Sequence, residues 1–236
     1  MQSSYKNFGA LLILLGSVLF CALYNQAPLA GPVRGDTADK GSFEAITGES
    51  ADEDKSVWDN FYRNKNNSFG KDPVSFLKDY IHMLPKGRAF VPAMGEGRNA
   101  IYLAKRGFTV DGNDVSDVAV EKAMAEAKQQ KVTLKPIVAD LNQYNIPENT
   151  YELILVSLFY SKTLVPKFQK ALKKGGYIMF YLRVVDPQNR KRPDSPDNFE
   201  VKPAELKEAL KDFQIKAYKE FTDQGIKVVG VLAKKP

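Results

Sequence analysis

Apolar positions change their rhythm near residue 88. Before it they recur at helical spacing. In SVWDNFYRNKN (56–66), Val57, Trp58, Phe61 and Tyr62 fall on one helical face, with Ser56 placed to cap it. DPVSFLKDYIHML (72–84) predicts a second helix. Asp72 would cap it, Pro73 would take its first position, and Phe76, Leu77, Tyr80 and Ile81 would form its apolar face. From RAFVPAM (88–94), a short buried strand, helical and strand patterns alternate. RNAIYLAKR (98–106), closed by Gly107, and DVAVEKAMAEAKQQK (117–131) read as helices; FTVDGND (108–114) and TLKPIVAD (133–140) read as strands. YELILVSLFY (151–160) is a fourth strand and its exit. LVPKFQKALKK (164–174) is a helix ended by Gly175-Gly176, YIMFYLRV (177–184) a fifth strand and PAELKEALKD (203–212) a helix. The runs at 213–221 and 226–234 are two strands around Thr222-Asp223-Gln224-Gly225.

This order predicts an α/β fold: a doubly wound, seven-stranded, mostly parallel sheet with helices on both faces. The short turn between the last two strands forces a hairpin, so one strand there runs antiparallel. The domain is expected to occupy 56–236. Residues 31–55, rich in Gly, Asp, Glu, Ser and Thr, read as a flexible linker. Residues 1–30 hold an uncharged run at 8–24, FGALLILLGSVLFCALY. The run is favoured as a single-pass membrane anchor over a cleaved signal peptide, because the small residues that cleavage needs are poorly placed.

Charge and composition narrow the chemistry. The net charge is +6, but basic and acidic residues are interleaved, so no nucleic-acid partner is expected. One cysteine, Cys21, and one histidine, His82, leave no thiolate or histidine metal site and no cysteine nucleophile in the domain.

FVPAMGEGRNA (90–100) carries the candidate chemistry. Gly95 and Gly97 let the main chain turn sharply and approach a ligand, and the helix that follows aims its first N–H groups at the same place. GEGRNA also fits a loose dinucleotide fingerprint, so a nicotinamide cofactor is one reading. Asp114 ends the second strand, where it can accept from ribose hydroxyls. Asp140 ends the third, where it can accept the amino hydrogen of an adenine flanked by Leu141. The terminal hairpin and the two helices before the first strand resemble the arrangement in methyltransferases, and that resemblance favours S-adenosylmethionine over a nicotinamide.

Taken together, WDNFYRNKNNSFGKDPVSFL, MGEGRNAIYLAKRGFTVDGNDVS, ADLNQYNIPENTYELILVS and LKKGGYIMFY make residues 56–234 resemble the class I S-adenosylmethionine-dependent methyltransferases. The nearest branch is the small-molecule one of tellurite-resistance and thiopurine-like enzymes. The resemblance implies that Gly95, Glu96 and Gly97 lie under the methionine part of the cofactor and that Arg98 and Asn99 open the helix beside it. It implies Asp114 on the ribose, Val115 beside the adenine, Asp140 and Leu141 framing that ring, and Ser157 near the transferred methyl. Two positions depart from the pattern. Val91 stands where the family has an acid, and Ala93 where it often has glycine; Ala93 is expected to need no positive φ, and Tyr62 and Glu96 are candidates to replace the missing polar contact.

The function expected is methyl transfer to a small-molecule acceptor such as a thiol or metalloid. The alternative is an inactive methyltransferase-like module tethered to the membrane, motivated by Val91 and by Pro92, which lacks a backbone donor. Because the cofactor is made in the cytosol, the domain is expected on the cytosolic side of the membrane, or exported if the leader is cleaved. Ser157-Leu158-Phe159-Tyr160 is not the D/N-P-P-Y/F motif of DNA base methylation, and Arg190, Lys191 and Arg192 form a basic cluster after the fifth strand. No residue is singled out as catalytic.

Overall fold

The structure, a computed structural model, describes residues 51–67, 69–185 and 200–236. The apolar run at 8–24, nearly all of the linker and the basic cluster at 190–192 lie outside the described residues. No helix among the described residues is long and apolar enough to cross a membrane.

Among the described residues, eight strands form one mixed sheet. In chain order they are β1 (Arg88–Val91), β2 (Thr109–Asp114), β3 (Leu134–Val138), β4 (Tyr151–Ser157), β5 (Leu172–Val184), β6 (Glu200–Val201), β7 (Gln214–Asp223) and β8 (Ile226–Lys234). The helices are α1 (Ala51–Asn64), α2 (Ser75–Tyr80), α3 (Arg98–Lys105), α4 (Asp117–Gln129), α5 (Val165–Ala171) and α6 (Pro203–Ala209). The sheet order is β3-β2-β1-β4-β5-β8-β7, with β6 pairing on β5. β1 to β6 pair in parallel, and β8 runs antiparallel to both β5 and β7. The expected hairpin is therefore present, and its second strand sits inside the sheet rather than at the edge. The strand order reverses between β1 and β4, and the crevice beyond their carboxyl ends is where such sheets take ligands.

The central strands read as unbroken apolar runs because they are buried on both faces. In β4, Leu153 and Leu155 join the core under α2, α3 and α4, while Ile154 and Val156 join the core under α5 and α6. β5 divides likewise, with Met179 and Tyr181 on the first side and Ile178, Phe180 and Leu182 on the second. Gly230 in β8 is explained by α2. A Cβ there would come within 2.3 Å of the Phe76 ring, which is fully buried against it.

Three local expectations are corrected by tertiary contacts. The second helix starts at Ser75 rather than at Pro73, ends at Tyr80 and continues only as a single 3-10 turn over Ile81–Met83. Asp72 does not cap it. The Val74 N–H is taken instead by Asn99 Oδ1 at 3.0 Å, a partner far along the chain. The fifth helix stops at Ala171, before the glycine pair, because fully buried Leu172 already pairs with Tyr151 in the sheet. The two residues of β6 carry no periodic signal and were not expected.

Candidate active site

The glycine turn between β1 and α3 builds the floor of a crevice. Gly95 has φ +56° and Gly97 has φ +84°, a left-handed backbone that favours glycine. Their roles differ. Gly95 lines the crevice, and a Cβ on it would lie 2.9 Å from Tyr62 Oη. Gly97, expected under the cofactor, is not among the residues that line the crevice. It faces α4, where a Cβ would meet Ala123 Cβ at 2.9 Å, so it sets the spacing of α3 against α4. Ala93 corrects a further expectation, since its φ is +46°. The turn imposes a left-handed residue there whatever its side chain.

Asp114, at the end of β2, is 6% exposed. Its Oδ2 accepts from Gly95 N at 2.8 Å and its Oδ1 from Ser116 N at 3.0 Å. Burial pushes its carboxyl up to about 6, against the opposing pull of those backbone donors and of Val115. A carboxylate has about four acceptor positions, so capacity remains for hydroxyl donors from a ligand. Asp114 does not cap α4. Ser116 does, its hydroxyl accepting from Ala119 N at 3.1 Å.

The other wall comes from strand ends. Asp140, just past β3, accepts at Oδ1 from Asn142 N at 2.9 Å and Asn142 Nδ2 at 3.1 Å, so it shapes its own turn as well as lining the crevice. Leu141 and Val115 lie on the same wall. Ser157, at the end of β4, accepts from Asn99 Nδ2 at 2.8 Å. Buried Asn99 thus ties β4, α3 and the residue before α2 together. Arg98 lines the crevice, and its guanidinium donates to the Phe69 carbonyl and, at 3.4 Å, to that of Asp72. Desolvation lowers its pKa from the ordinary guanidinium value, partly offset by the negative charge of Asp223.

How the roof is held was the part least visible in the sequence. α1 packs on α4 and lays Trp58 and Tyr62 over the turn, their rings stacked at 5.8 Å, with Phe69 beside them. Asp59 pins α1 down. Its Oδ1 accepts from Ser116 Oγ at 2.6 Å and its Oδ2 from Lys55 Nζ at 2.6 Å. Burial alone would raise the Asp59 carboxyl, but these two donors hold it below the ordinary value. Asn113 was also not foreseen. It lines the crevice and its Oδ1 is buried with no partner, an acceptor left over among well-bonded neighbours. His82 is exposed in the 3-10 turn and does not reach the crevice. Val91 is buried in the core below α3, so no polar group stands at that position.

A glycine-floored crevice at the switch point, with a buried carboxylate at the end of the second strand and an antiparallel strand inside the sheet, defines a class I S-adenosylmethionine-dependent methyltransferase fold. The comparisons agree. A family model described as a methyltransferase domain matches residues 92–176. Among curated proteins, the "Probable S-adenosyl-L-methionine-dependent methyltransferase TehB" of Haemophilus influenzae is 28% identical over 133 residues, covering 53% of this chain and 46% of that protein. The chain thus matches about half the length of that relative. The crystal structure of TehB from Haemophilus influenzae superposes with a TM-score of 0.62 at 21% identity, over 75% of this chain and 67% of that one. Magnesium protoporphyrin IX methyltransferase from Synechocystis PCC 6803, solved with bound S-adenosylhomocysteine, gives 0.60 at 14% identity, over 80% of this chain and all of that one, 100%. At these identities the structures show the fold alone.

The residues present fit the cofactor. The crevice wall supplies a carboxylate with acceptor capacity to spare, an unpartnered buried amide oxygen and a floor that a Cβ would obstruct.

Proposed function

We propose that the chain is an S-adenosylmethionine-dependent methyltransferase acting on a small molecule through a soft nucleophilic atom, a thiol, a metalloid or a similar acceptor. One observation carries the reading: a glycine turn, buried Asp114 and an aromatic roof meet at the carboxyl ends of β1 and β2. When bound, the sulfonium cofactor supplies an electrophilic methyl carbon. Asp114 would accept from the ribose hydroxyls, and Val115, Asp140 and Leu141 would frame the adenine. Gly95, Glu96, Arg98 and Asn99 would face the methionyl part, leaving Ser157 nearest the methyl. Gly97 would act only through the turn it allows.

The acceptor side of the crevice is apolar. Leu158, Phe159, Tyr160 and Leu164 line it, and the described wall has no histidine, lysine or cysteine. Burial raises the Tyr160 phenol, so it stays protonated. Such a wall excludes water and orients an acceptor but offers no basic nitrogen. An alcohol or an amine would find no basic nitrogen on this side to take its proton, whereas a thiolate or metalloid species has none to lose. Incubating the full chain with radiolabelled cofactor and a panel of thiols, metalloid anions and phenols tests the reading. Label is expected on the soft acceptors. Calorimetry showing no cofactor binding would refute the reading outright, and binding without transfer to any acceptor would favour an inactive module.

A further inference from the structure

Lys122 lies on the second turn of α4, outside the crevice wall, and gathers the end of α1. Its Nζ donates to the Tyr62 carbonyl, to Lys65 O at 2.7 Å and to Asn66 Oδ1 at 2.8 Å. The same nitrogen stands 3.6 Å from Glu96 Oε1. An ammonium has three hydrogens, so its donors are engaged, and it sits where the helix end presents partial negative charge. Glu96 is the residue between the two glycines of the cofactor turn, and its Oε1 also accepts from Asn67 N at 3.0 Å. One cation therefore joins the last turn of α1, the strap after it and the floor of the crevice. Trp58, Tyr62, Phe69 and Gly70, carried on that helix and strap, form the roof.

We infer that Lys122 is a positioning residue for cofactor binding, latching the aromatic roof to the cofactor turn so that the crevice is formed before the cofactor arrives. The inference rests on the methyltransferase reading above. Without the ammonium, the main-chain carbonyls at the end of α1 turn to solvent and the roof stays in place for a smaller fraction of the time. A ligand that needs the roofed state then binds more weakly by that fraction.

Trp58 is the single tryptophan of the chain and stacks on Tyr62, so its emission reports on the roof directly. The full chain and its Lys122→Met and Lys122→Arg variants are titrated with S-adenosylhomocysteine. The unaltered chain is expected to give a saturable change. Lys122→Met is expected to show red-shifted emission without ligand and about ten-fold weaker affinity, the loss of a charge-assisted bond. Lys122→Arg is expected to recover most of that affinity, which a general loss of stability would not explain. No response from the unaltered chain would overturn the methyltransferase reading itself. A normal response with unchanged affinity and emission in Lys122→Met would overturn the latch alone. Should Lys122→Met fail to fold, Asn66→Ala decides: about three-fold weaker binding supports the latch, and unchanged binding overturns it.

Discussion

Replacing Ala93 by glycine should stabilise the protein. Ala93 sits at φ +46° in the cofactor turn. A left-handed backbone costs a residue with a Cβ roughly 1–2 kcal/mol, because that atom crowds the following carbonyl. Glycine is free of this cost but loses more backbone freedom on folding, about 0.4–1 kcal/mol relative to alanine. The strain is the larger effect, so Ala93→Gly should gain about 0.5–1 kcal/mol. Ala93 is only half buried at the crevice surface, so its methyl group contributes little packing to set against this. For a domain of this size the gain corresponds to a midpoint about 2–3 °C higher. Thermal and urea unfolding followed by Trp58 emission would measure it, with circular dichroism as a second probe. Ala93→Val should move the midpoint the other way, since a β-branched residue tolerates that φ least. Should Ala93→Gly be destabilised by 1 kcal/mol or more, the strain argument fails: the methyl would be packing against something that outweighs its conformation. The absence of glycine at 93 would then be a gain to the fold and not a cost it carries.

Three further outcomes follow from the crevice and the turn beneath it. The Asp114 carboxyl is raised to about 6 from an unfolded value near 3.8. The folded state therefore holds its proton more tightly, and this group's contribution to stability is full below about pH 4 and lost as the pH rises through about 6. Ligand binding should run the opposite way, because ribose hydroxyls need the ionised acceptor. Affinity for S-adenosylhomocysteine should weaken between pH 7 and pH 5 in calorimetric titrations, and a flat profile would remove Asp114 from the ribose. Gly97→Ala should lower stability by about 1–3 kcal/mol, since it combines a left-handed φ with a 2.9 Å approach to Ala123. Urea unfolding reads that loss, and a change below 0.5 kcal/mol would contradict the close packing of α3 on α4.

Much of this molecule was legible locally. The alternation of apolar runs with amphipathic ones specifies parallel strands and covering helices, since each strand must bury both faces and each helix one. The turn residues Gly95 and Gly97 and the acids at strand ends, Asp114 and Asp140, stand out for the same reason: the chain exits the sheet there, and local backbone chemistry decides which residues can do so. What could not be read was everything that needed a partner distant in sequence. The start of α2 is decided by Asn99 taking up the Val74 N–H, and the end of α5 by Leu172 pairing with Tyr151. The turn of Gly97 toward α4 and the way Asp59 and Lys122 hold the roof also belong to this group. Periodicity along a chain records which face of an element is buried. It does not record against what, and the roof over this crevice depends on that second fact.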